Sequence, residues 1–181
     1  MKRIYSAAAS VALIVFSVSL GQAASKPKDD SPAAEARTML EQVDSWSASI
    51  ADAADRLSME TRIPSDSQSD LEGLDILKDN VNKIGRDLRI LVAGQEDLDK
   101  WESSAVDEIL PLMQEVAANT EKAIETFRSD RNHLWTTAFP VETAKVFEDA
   151  AKVKALLDGH LKLATVREQE QRIENALDAT R

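Results

Sequence analysis

The chain has 181 residues, with 22 Lys and Arg against 32 Asp and Glu for a formal net charge of −10. It has no Cys and a sparse aromatic set of 3 Trp, 1 Tyr and 4 Phe. That length holds one domain with a tail. The missing Cys excludes disulfides, thiolate metal sites and Cys-attached haem, and the acidic balance speaks against a nucleic-acid partner, which needs a basic face to displace counterions.

The first residues, MKRIYSAAASVALIVFSVSLGQAASK, read as an address. Lys2 and Arg3 give a basic start, Ala7 to Leu20 is uncharged and apolar, and Gly21-Gln22-Ala23 places small residues at a cleavage site. This is the pattern of a secretory signal peptide, residues 1–23, cut after Ala23 with Ala24 as the next choice. The apolar run is shorter than the roughly 20 residues of a spanning helix, and Ser17 and Ser19 weaken it further. No second long apolar run follows, so no stable membrane insertion is expected after cleavage. The expected location is periplasmic or secreted, and residues 24–31 read as a disordered leader.

Proline and glycine then divide residues 32–179 into four helices. Ser31-Pro32 sets an N-cap with Pro at the first helical position. The first helix runs over about 32–62 with a heptad stripe of Ala36, Met39, Val43, Trp46, Ile50, Ala53 and Leu57. Ile63-Pro64 stops it, because the residue before Pro avoids the helical region. Pro64 to Ser69 is a loop by composition, and Ser69 with Glu72 forms a capping box for the second helix, about 70–93. Its stripe is Leu71, Leu74, Leu77 or Lys78, Val81, Ile84, Leu88 and Leu91, and Gly94 ends it. Gly73 and Gly85 inside it each cost about 1 kcal/mol against Ala, which points to close approach of a neighbouring helix.

The third helix, about 97–128, carries Leu98, Trp101, Ala105, Ile109, Leu112, Val116, Ala123 and Phe127. Its stripe continues across Pro111, so a kink is expected there and not a break. The fourth helix, about 141–179, follows Pro140. Its stripe centres on Ala144, Phe147, Ala150, Ala151, Lys154, Leu157, Leu161 and Ala164, widened by Val146, Val153, Leu156 and Leu163. Nothing alternates with period two over any length. The expected fold is therefore all-α: an elongated, antiparallel up-down-up-down four-helix bundle with a long fourth helix.

Catalytic chemistry lacks its parts. Neither His133 nor His160 has a Glu three residues before it, as a di-iron bundle would require. There is no His-Glu-x-x-His run, no Gly-x-Ser-x-Gly elbow and no phosphate-cradling glycine loop. No enzyme, no metal site and no cofactor is expected. The one cofactor pair open to test is Met39 with His160 as axial haem ligands, and an offset of roughly 18 Å along the helices opposes it.

Two stretches are candidates for specific contacts. The 129–140 connection gathers Arg131, His133, Trp135 and Phe139, residue types favoured as contact anchors. The favoured reading has Leu134, Trp135 and Phe139 folding inward to plug one end of the bundle; the other is an exposed binding tip. The end of the fourth helix, with Leu163, Val166, Ile173 and Leu177, is a thin seam for self-association, or frays into solvent. The function expected is that of an exported, non-catalytic helical bundle: a protein-interaction or structural component of the periplasm or cell envelope, whose partner is another envelope or secreted protein. The alternative is a carrier of a small ligand or haem-type cofactor in the bundle interior.

Overall fold

The structure is a computed structural model that describes residues 32–60 and 67–180. The predicted signal peptide, the leader, and the Ile63-Pro64 stop with the start of the loop after it lie outside the described residues. Four helices carry the fold: α1 (Pro32–Glu60), α2 (Ser67–Ala93), α3 (Lys100–Ser129) and α4 (Phe139–Asp178). Two single 3-10 turns, Gln95–Asp97 and Leu134–Thr136, sit in the α2–α3 and α3–α4 connections. No strand occurs among the described residues.

The helix rows explain the packing. In α1, Ala36, Val43, Ile50, Ala53 and Leu57 are buried, and the adjoining Leu40, Ser47 and Ala54 are buried with them. That second row exists because α1 has two principal neighbours, α4 and α2. α3 shows the same doubling, with Ala105, Ile109, Val116, Ala123 and Phe127 joined by Val106, Met113 and Thr120. Helix α4 packs on α1 and α3, and α2 closes the ring between α1 and α3.

Three boundaries depart from the sequence expectation. Helix α2 starts at Ser67, so Ser69 is inside it, and its hydroxyl donates to Glu60 Oε2 of α1 at 3.1 Å instead of capping. Helix α3 starts at Lys100, not 97, because Asp99 and Glu102 form its capping box: the Asp99 N–H donates to Glu102 Oε2 at 2.9 Å. Helix α4 starts at Phe139, with Pro140 in its first turn, where a missing N–H costs nothing.

The face of α4 keeps Ala150, Leu157 and Ala164 of the expected stripe but centres differently. The buried row is Phe139, Thr143, Val146, Ala150, Val153 and Leu157, while Phe147, placed at the stripe centre by sequence, is 37 % exposed. Apolar residues fill two adjacent rows of α4, and sequence periodicity cannot choose between them. Pro111 lies on the outer face of α3, exposed, within a continuous helix.

Several contacts cross between the helices. Gly73 of α2 lies against Leu57 of α1; a Cβ there would come within 2.8 Å of Leu57 Cδ2. Ala36 and Met39 of α1 line one small pocket with Ile90 and Leu91 of α2. Arg37 of α1 pairs with Glu168 of α4 and donates to Thr165 Oγ1 at 3.2 Å. Phe127 of α3 stacks obliquely on Phe139 of α4, ring centres 6.3 Å apart. His160 Nε2 of α4 is 3.4 Å from Glu108 Oε1 of α3.

Candidate functional site

The α3–α4 connection splits the two readings of its aromatic residues. Leu134 and Phe139 fold inward and are buried, while Trp135 is 42 % exposed. The plug is thus made of two residues and not three. Phe139, a contact candidate by sequence, is fully enclosed beside Phe127 and has no surface to offer a partner. Its position explains this: it opens α4, and its place on the core row is set by the helix that follows.

The remaining candidates lie outside. Arg131 sits over the Phe127 ring at 5.3 Å, a cation–π contact. His133 Nδ1 is 3.1 Å from Asp130 Oδ1, and its ring meets Trp135 edge-on at 5.6 Å. Together they form a small exposed tip held by local bonds: Thr136 and Thr137 hydroxyls donate back to the His133 and Leu134 carbonyls at 2.8 and 2.7 Å.

Met39 and His160 are not brought to a common point. Met39 lies with Ala36, Ile90, Leu91 and Leu98 at the α1–α2 side. His160 faces Glu108 on α3. The two helices present these residues to different neighbours, so a shared iron does not fit this arrangement. Among the described residues no group of three or more His, Asp or Glu side chains gathers as metal ligands.

Three carboxylates are held above their ordinary range by burial. Glu102 is enclosed, and the Asp99 N–H offsets part of the cost. Asp44 of α1 is raised by burial, relieved partly by Lys154 Nζ at 3.8 Å on α4. Its Oδ1 has no hydrogen bond, because Lys154 donates instead to Asp158 Oδ2 at 2.8 Å. Asp87 of α2 is raised by burial as well, with Arg86 opposing, and its Oδ2 is unsatisfied. These groups are spread over different seams and do not converge on one reacting position.

A further surface feature is one the sequence did not point out. Helices α2 and α3 pack more sparsely than the other neighbours, and an open groove of about 520 Å³ runs along their seam. Val81, Gly85, Leu88 and Val92 form its α2 wall at spacings of 4, 3 and 4; Leu110, Met113 and Ala117 form the other. A Cβ on Gly85 would meet nothing within 4 Å, so this glycine deepens the groove without serving helix contact. Its sibling Gly73 is the reverse case, pressed onto Leu57. Arg89 is the only charged side chain in the lining. Its Nε donates to the Gly85 carbonyl at 2.9 Å.

One signal for the groove was present in the sequence. α2 carries apolar residues at Leu88, Ile90, Leu91 and Val92, more than one partner row can cover. Ile90 and Val92 stay exposed in the folded chain.

The far end of α4 is another apolar surface left unburied. After Ala164 every described residue is exposed, including Val166, Ile173 and Leu177 at 50 to 60 %. The helix nevertheless continues to Asp178. No helix among the described residues is long and apolar enough to cross a membrane. Comparison with protein-family models, with curated proteins and with solved structures finds no match for this chain.

Proposed function

We propose that this is an exported, non-catalytic helical-bundle protein of the periplasm or cell envelope that works by contact with another protein chain. The α2–α3 groove carries this reading. A seam where Val81, Val92 and Leu110 keep surface open to water beside the buried Leu88 and Met113 is a standing cost that a docked partner removes. Apolar residues at helical spacing on two parallel walls suit a third helix laid between them. The signal-like start of the chain supports export.

We read the bundle as antiparallel and up-down-up-down. The proximities of Leu57 to Gly73, Met39 to Leu91, Arg37 to Glu168, and Phe127 to Phe139 support it. Each joins the end of one helix to the start of its neighbour or the reverse.

A small-ligand carrier is the second reading, and the groove's volume favours it, since pockets of about 300–1,000 Å³ take small molecules. The ligand would sit in the α2–α3 seam and not in the bundle interior between Met39 and His160.

A photo-crosslinking residue placed at Gly85, with the same residue at exposed Glu121 as control, tests the contact reading in the native compartment. A discrete protein adduct at position 85 and none at 121 is expected. No adduct at either position, or equal adducts at both, overturns it.

A further inference from the structure

Among the described residues, the α2–α3 groove and the end of α4 both leave apolar surface uncovered, and they match each other. The α2–α3 groove spans residues 81 to 93, about 18 Å of helix. The exposed row on α4, Leu163, Val166, Ile173 and Leu177, covers about 21 Å. The charges match as well. Arg89 is the single charged residue lining the groove, and its guanidinium makes no ion pair among the described residues. Glu170 falls in the α4 row itself, between Val166 and Ile173, with Glu174 and Arg167 at its edge and Arg172 on the opposite face, and neither glutamate has an ion pair among the described residues. A carboxylate-bearing helix thus faces a groove whose one charge is positive.

The α4 end cannot cover its own groove. Helix α4 packs on α1 and α3 and continues as one helix to Asp178, past its Arg37 fastening at Glu168. The groove opens on the seam between α2 and α3. Both surfaces nevertheless lie towards the same end of the molecule. Ile90 and Leu91 of α2 line one small pocket with Ala36 and Met39 near the start of α1, and Arg37 there meets Glu168.

We infer that the α4 end of one chain, residues 163–177, docks in the α2–α3 groove of a second copy, with Glu170 or Glu174 set against Arg89. Because groove and tail lie at one end, two copies meeting end to end exchange tails reciprocally, which closes the assembly as a twofold pair. Gly85 and Ala117 are the small residues that let the incoming helix approach. The inference rests on the protein-contact reading above and names its partner as this same chain.

Sedimentation equilibrium of the purified protein tests it, with circular dichroism confirming the fold of each variant. The wild-type chain is expected to dimerise. Ile173→Glu with Leu177→Glu, both at exposed positions, should weaken dimerisation at least about ten-fold, since one buried Leu or Ile is worth a decade in affinity. Gly85→Glu should weaken it similarly, because its side chain enters the groove without touching its own fold. Mixing the two variants restores one intact tail-in-groove contact per mixed pair, so mixed dimers should form where neither variant pairs alone. A monomer at every concentration overturns the inference. So does a dimer indifferent to Gly85→Glu and without rescue on mixing, the signature of tail-to-tail pairing. A Gly85 crosslink to a different protein, with the chain itself monomeric, overturns the pairing and leaves the contact reading standing.

Discussion

The α1–α4 and α2–α3 seams are made from the same kind of helix and end differently. Along α1–α4 the rows interlock and are bridged by charge: Arg37 reaches Thr165 and Glu168, and Lys154 lies 3.8 Å from Asp44. Along α2–α3 a comparable apolar row is present, but Gly85 and Ala117 stand where large side chains would close the gap. Helical periodicity therefore makes a face; the size of the residues on it decides whether that face is filled by its own bundle or stays open to another chain.

The largest effect should separate filled from open positions. Leu157→Ala, at a fully buried site, is expected to cost about 2–5 kcal/mol in urea unfolding. Val92→Ala, in the groove wall and 41 % exposed, should cost under about 1 kcal/mol in the monomer. Equal losses would erase the distinction between the seams.

The two glycines of α2 sharpen it, because they should respond with opposite signs. Gly73→Ala forces a Cβ within 2.8 Å of Leu57 and should destabilise by about 1–3 kcal/mol despite the better helix propensity of Ala. Gly85→Ala meets nothing and should gain up to about 1 kcal/mol. Thermal unfolding of both variants reads this directly.

These two residues also mark how far the sequence reached. The four helices, the lack of strands and the α1 stripe were legible, because long 3.6-period rows leave little choice. That Gly73 and Gly85 break the rule of good helix formers was legible too. Which one accommodates a neighbour was not, since that depends on the axial register of α1 against α2. On α4, Ala150, Leu157 and Ala164 fall on the buried face as expected, but the sequence puts Phe147 at its centre in place of Val146, since the two are equally apolar to a periodicity argument. Phe139 looked like loop and proved to be core, because helix α4 begins one residue before its proline. The groove was missed because it arises from what two helices fail to fill.

The smallest expected effect is electrostatic. Burial raises the Asp44 carboxyl, so the folded chain holds that proton more readily than the unfolded chain. The charged form therefore weakens the fold above the raised value, and the penalty fades as pH falls from that value through the unfolded-chain value of about 3.9, below which both states are protonated. Asp44→Asn should raise the melting temperature at pH 7, with the gain shrinking towards pH 3. A gain that grows on acidification would show that Lys154, and not burial, governs the α1–α4 seam at this point.

The placement of the three indoles supplies an optical assay of the molecule. Trp46 is half-buried beneath the Lys83 ammonium, 5.9 Å from the ring centre, and Trp101 is half-buried as well. Trp135 stands at the tip of the α3–α4 connection, open to water and edge-on to His133. A collisional quencher such as acrylamide should extinguish one fluorophore first and the other two only with difficulty, so emission wavelength can follow events at the connection apart from melting of the body.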